Sequence, residues 1–179
     1  MTRTISGRAA SAAAADVLQS AIVAEFLSPG PRLTLHAAAL ANPPVVDNRR
    51  NAFRSLLPDF GYRELRVIDA LRELLTRGTV VDLAYRDAAR SAAFIERLEA
   101  AFRLDPPAGE VRLLRDDTLS ETGLLGGAFF LGGGLEWGAD GLVVGPAGAT
   151  FQTAGEVAAV RARWSSYWEA KSGGARVLR

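Results

Sequence analysis

The chain has no cysteine, a single histidine (His36) and a single lysine (Lys171). Without cysteine there are no disulfides and no thiolate metal sites. With one histidine, the residue that most often moves protons near neutral pH is nearly missing. The remaining positive charge is arginine, which stays protonated and so binds anions without acting as an ordinary base. Long apolar runs are also missing: none approaches the roughly 20 residues of a membrane span. Arg3 and Arg8 precede an alanine run in the manner of a secretion signal. That run is weakly apolar and grades into an amphipathic pattern, so the signal reading is set aside and a cytoplasmic location is expected.

What is present fits an α/β domain. Nearly half of the 179 residues are apolar and the net charge is +1. These values point to one domain large enough to bury a core. Glycine is concentrated between Thr118 and Thr150, at Gly123, Gly126, Gly127, Gly132, Gly133, Gly134, Gly138, Gly141, Gly145 and Gly148. Short apolar runs separate these glycines, which reads as strand, turn, strand, turn, strand.

In chain order, residues 1–12 read as a loose tail and 13–170 as the domain. Residues 171–179 read as a basic tail. Helical spacing runs from Ala13 to Leu27 and stops at Ser28-Pro29-Gly30-Pro31. Arg32 to Leu40 reads as a buried strand, and Ala41 to Asp47 as an extended exit fixed by Pro43 and Pro44. Asn48 to Gly61 is irregular, with one helical turn before Pro58. Tyr62 to Arg77 is the clearest helix, its buried face marked by Leu65, Ile68, Leu71, Leu74 and Leu75. Gly78 stands where a helix ends. Thr79 to Tyr85 is then a strand parallel to the first. A second helix covers Asp87 to Phe102, a Pro106-Pro107 turn follows, and Glu110 to Leu114 is the next strand. Gly155 to Ala170 closes the domain as a helix with Val157, Val160, Trp164 and Trp168 on one stripe.

The usual chemical motifs fail. Gly132-Gly133-Gly134-Leu135-Glu136-Trp137 puts Trp137 where a dinucleotide loop needs glycine, and Lys171 is remote from any phosphate loop. His36 lies in an apolar strand and reads as a hydrogen-bonded core residue rather than a triad base. Asp116, Asp117 and Glu121 are close in sequence but read as a solvated turn, so no metal site and no cofactor are assigned. Ser120 and Thr122 fall on one face of a strand start, with Glu121 opposite. Arg49, Arg50 and Arg54, with Arg63 and Arg66, form either a phosphate-tracking set or a solvated surface. Trp164 reads as core. Trp137, between glycines in a turn, reads as an interface residue.

Taken in order, four segments resemble one half-domain of the phospholipase D-like superfamily. It looks closest to members that accompany bacterial anti-phage and DNA-modification gene clusters. The segments are PPVVDNRRNAFRSLLPDF after the first strand, RELRVIDALRELLTRGTVVDLAYRD, LSETGLLGGAFFLGGG and EVAAVRARWSSYWEA. Together they span about residues 13–169. The resemblance implies a three-layer α/β sandwich whose central mixed, largely parallel sheet is flanked by helices. In catalytic members a histidine attacks phosphorus while a lysine and an asparagine hold the phosphate. Two such motifs meet at a two-fold interface. Here Ser120 stands at the histidine position and Thr122 at the lysine position, and the run Gly132 to Leu135 lacks the serine and asparagine. The implied protein is a catalytically inactive structural or nucleic-acid-contacting subunit of a prokaryotic defence complex. Its implied partners are other protein subunits, a second copy of itself and DNA. The alternatives are a phosphodiesterase or nuclease that completes its site with a partner chain or uses Ser120, and a degenerate cleft that binds a small nucleotide.

Overall fold

The computed structural model describes residues 1–106 and 108–178. Pro107, assigned above to the turn after the second helix, lies outside the described residues. Ten strands and four α-helices follow in the order β1 (Thr2–Ile5), α1 (Ala10–Leu27), β2 (Arg32–Ala37), β3 (Pro44–Asp47), β4 (Glu64–Arg66), α2 (Val67–Thr76), β5 (Val80–Tyr85), α3 (Ala88–Leu104), β6 (Val111–Arg115), β7 (Gly123–Leu125), β8 (Phe129–Trp137), β9 (Leu142–Thr153), α4 (Val157–Lys171) and β10 (Arg176–Leu178). Eight strands form one sheet in the order β1-β9-β8-β7-β2-β5-β6-β10, and β3 pairs with β4 separately.

The helix–glycine–strand reading holds. α2 ends at Gly78, whose φ is +86°, and β5 returns parallel to β2 in the register Leu33↔Val81, Leu35↔Leu83. β6 continues the parallel set beside β5. The sheet is mixed, as expected, but largely antiparallel rather than largely parallel. Every other pairing in it is antiparallel. The reason lies in the glycine-rich stretch, whose tight turns join neighbouring strands, and only antiparallel neighbours can be joined that way. Within it the β8–β9 register shifts between Gly133 and Leu135, where Gly133 takes φ +96°.

Two further boundaries move. The helix expected from Tyr62 begins at Val67, because Glu64 to Arg66 pair with β3. The first N–H groups of α2 are met locally: Pro43 O accepts from Val67 N and Asn42 Oδ1 from Ile68 N. The segments expected as tails also pair. Thr2–Ile5 forms the β1 edge beside β9, and Arg176–Leu178 forms the β10 edge beside β6. Backbone donors left over at a sheet edge recruit such short segments.

The layers are unequal. One face of the sheet carries α1, α2 and α3 over a core that includes Leu18, Ile22, Phe26, Leu33, Leu35, Leu74, Leu83, Phe94, Leu98 and Leu131. α1 has the length and mean hydropathy of a membrane span, 18 residues at 1.3, yet Ala14, Leu18, Ile22 and Phe26 pack into this core. Among the described residues the other face carries α4 alone. It buries the expected stripe of Val157, Val160, Trp164 and Trp168 against Leu125, Phe130, Ala84 and Leu114. A single helix cannot cover an eight-stranded face, so open space remains on both of its flanks.

Candidate functional site

The segment Ser120 to Thr122 lies on one flank of α4. Strand β7 begins at Gly123, and Ser120 to Thr122 lead into it beside β8, where Gly133 N donates to Thr122 O. Ser120, Glu121 and Thr122 wall an open groove of about 590 Å³ with Gly133, Gly134, Gln152 and Arg163. Ser120 is exposed. The Thr122 hydroxyl is already committed, donating to Gly133 O at 2.8 Å. Glu121 turns toward α4, where it accepts from Trp164 Nε1 at 2.8 Å and from the Arg163 guanidinium. Burial alone raises the Glu121 carboxyl, but the Arg163 and Trp164 bonds outweigh that and hold it below its ordinary value.

The one histidine and the one lysine both serve the docking of α4. His36, 2% exposed, points from β2 into that interface. Its Nε2 accepts from Trp168 Nε1 at 3.1 Å, and its ring lies flat on Trp164. Burial lowers the imidazole to about 4 against the opposing pull of Glu121 and Asp116. It is therefore neutral near pH 7, with its accepting nitrogen occupied. Lys171 donates to Asp116 Oδ2 and to Thr118 Oγ1 at 3.0 Å. Asp116 also accepts from Tyr167 OH at 2.7 Å and from the Thr118 hydroxyl at 2.6 Å. These partners overcome the raising effect of burial and hold Asp116 well below the carboxylate range. The turn expected to be merely solvated is thus half structural. Asp116 is buried in the α4 contact, while Asp117 stays at the surface beside Arg115.

The arginines lie elsewhere. Arg49, Arg50 and Arg54 are exposed on the loop between β3 and β4. Phe53, Leu56 and Phe60 of that loop pack against the core under α1 and α2, on the face opposite α4. The structure therefore does not bring these arginines to the Ser120 groove. Arg49 is held by Asp47 at 2.7 Å and faces Glu64 at 3.6 Å. Among the described residues Arg50 and Arg54 make no ion pair.

Trp137 corrects its expected role. It is not an exposed turn residue: β8 runs through it, and pairing with Leu142 directs the indole inward, where it is 5% exposed within the main core. Its Nε1 is buried without a partner among the described residues. An interface residue needs an exposed side chain, and Trp137 does not have one.

No protein-family model matches the chain. No curated protein matches it either. Among solved structures, NucT from Helicobacter pylori superposes with a TM-score of 0.51 at 11% identity, covering 99% of this chain and 98% of that one. TrmBL2, an archaeal chromatin protein whose structure shows a novel mode of DNA binding, gives a TM-score of 0.49 at 9% identity. The chain spans about half (52%) of TrmBL2. At these identities the likeness to NucT is one of fold, and it runs from end to end.

Sequence reading missed the polar row on the α4 face. Register places Leu125, Thr34, Asp82 and Arg112 side by side across β7, β2, β5 and β6. A signal was present: an aspartate in the middle of the apolar strand TVVDLAY is a buried charge that needs partners.

Proposed function

We propose that this chain is a phospholipase D-like domain that has lost phosphodiester chemistry. In this reading it acts in the prokaryotic cytoplasm as a structural or nucleic-acid-contacting subunit of an anti-phage defence complex. One observation carries the loss of chemistry. The only histidine and the only lysine of the chain are both engaged at the α4 interface, and the groove presents Ser120 and Thr122 instead. A serine without a base is a poor nucleophile, and a catalytic set that acts as a unit fails as a unit. The order of the four sequence segments supports the family, and the end-to-end likeness to NucT supports the fold. The exposed arginines of the β3–β4 loop support contact with a phosphate backbone.

The test is incubation of the purified chain with single-stranded DNA, double-stranded DNA and a generic phosphodiester. No turnover is expected. A second reading rests on the exposure of Ser120 at the groove wall: a nuclease that takes its missing groups from a partner chain or uses this hydroxyl. Hydrolysis abolished by Ser120→Ala would establish that reading and remove the first.

A further inference from the structure

On the flank of α4 away from the Ser120 groove, a second cavity of about 370 Å³ opens over the polar row of the sheet. Its lining includes Arg32, Thr34, Asp82, Arg112, Arg161 and Trp168. The floor is unusual for the middle of a sheet. Asp82 is fully buried at 0% exposure, and Thr34 beside it is buried as well. Arg112 meets Asp82 through two bonds of 2.6 Å while its guanidinium lies over the Trp168 ring, 5.1 Å from the centroid. Arg32 reaches Asp82 from the rim at 2.7 Å. Arg161 of α4 donates from Nη2 to Gly126 O at 2.9 Å and to Gly127 O at 2.7 Å.

Each guanidinium is anchored through one part of its donor set only. The bonds above use Nε and Nη2 of Arg112, Nη1 of Arg32 and Nη2 of Arg161. Arg112 Nη1, Arg32 Nη2 and Arg161 Nη1 have no protein acceptor among the described residues. Three cations thus face one cavity against the carboxylates of Asp82 and Glu169. Anchored guanidiniums with donors to spare are preorganised for an oxyanion, because their own acceptors set their orientation in advance. Leu125, Trp164 and Trp168 supply an apolar wall. The volume falls in the range of small-molecule pockets.

We propose that this cavity is a binding site for a small oxyanion-bearing molecule, a phosphomonoester or a carboxylate up to about the size of a mononucleotide, held by Arg32, Arg112 and Arg161. The site is separate from the degenerate groove and does not depend on the function proposed for it. Asp82 serves as the internal counter-ion that keeps the arginines in place while the cavity is empty.

The experiment is calorimetric titration of the full chain with adenosine 5′-monophosphate and, separately, with succinate, alongside the tryptophan fluorescence of the same samples. Saturable one-site binding is expected for at least one ligand, with a fluorescence change from Trp164 and Trp168 at the wall. Saturation by the nucleotide alone identifies a phosphoryl ligand, and by succinate alone a carboxylate. Ser165→Trp fills the mouth from an exposed position on α4 and should weaken binding about tenfold or more. Arg161→Gln should weaken it comparably while leaving the Asp82 pairs intact. Ser120→Trp, in the other groove, should leave it unchanged. The proposal is overturned if neither ligand saturates below about 10 mM. It is equally overturned if binding survives Ser165→Trp in a protein that still unfolds cooperatively.

Discussion

The imidazole of His36 lies flat on the indole of Trp164, with ring centroids 3.8 Å apart and planes 14° from parallel. Trp168 closes the arrangement by donating to its Nε2. This pair joins the centre of the sheet to α4, the helix on that face. A neutral, accepting histidine is therefore a structural component of the fold, and its protonation acts against the docking of α4.

The pH dependence follows in sign. Burial lowers His36 from 6.5 to about 4 in the folded chain. Between those values the unfolded chain binds the proton and the folded chain does not, so stability falls as pH drops through that window. The loss amounts to as much as ~3 kcal/mol. Asp82 is a second buried group whose carboxyl burial pushes up while Arg32 and Arg112 hold it ionised, so its own response to pH overlaps that of His36. The effect of His36 is therefore read as a difference. Denaturant unfolding of the native chain and of His36→Gln from pH 4 to 8 should show the native chain losing more stability on acidification. Parallel curves would remove His36 as the source.

A second prediction concerns Glu25, buried in α1. Its carboxylate accepts from Gly30 N at 3.1 Å and from Gly127 N, which clips the α1–β2 connection to the β7–β8 turn. The two glycines touch so closely that a Cβ on Gly30 would stand 2.8 Å from the Gly127 Cα. Glu25→Ala leaves two amide donors unmet and should cost about 1–3 kcal/mol. Gly30→Ala should destabilise as well, by forcing the two backbones apart. Thermal melts of both variants measure this, and an unshifted midpoint for both would show that the clip contributes nothing.

A third concerns the charge row. Arg112→Met leaves Asp82 buried with Arg32 alone, and breaking a buried pair from one side costs about 3–5 kcal/mol. Replacing both, as Arg112→Met with Asp82→Leu, should recover much of that loss, because no buried charge is then left over. Equal destabilisation by the single and double variants would contradict this account.

Much of the fold was legible because its signals are local. Apolar periodicity marks α4 residue by residue, Gly78 marks the end of α2, and the glycine-rich stretch does form antiparallel hairpins. The errors fall where partners remote in sequence decide. Glu64 to Arg66 read as helix until β3 lies beside them, and Thr2 to Ile5 read as tail until β9 offers its edge. Trp137 read as a turn residue because its glycine neighbours hide the length of β8. That His36 and Lys171 are single copies far apart in sequence could be read directly. That His36 meets Trp168 beneath α4, and that Lys171 at the end of α4 meets Asp116, could not, because these partners come together only in the folded sheet.

The last prediction separates the arginines of the β3–β4 loop. If they track a phosphate backbone, each contributes about one unit to the slope of log affinity against log salt. They are not equivalent, however. Arg49 is 65% exposed but occupied by Asp47 through paired bonds, whereas Arg50 and Arg54 have no such partner among the described residues. A guanidinium already neutralised releases fewer counterions from DNA than a free one. The double variant Arg50→Ala/Arg54→Ala should therefore flatten the salt slope by about 2, nearly as much as the triple variant that includes Arg49. Asp47→Asn should steepen it, because it releases Arg49 for the backbone. Fluorescence anisotropy of a labelled duplex across a salt series measures all three slopes. A native slope retained by the triple variant would place any DNA contact elsewhere on the chain.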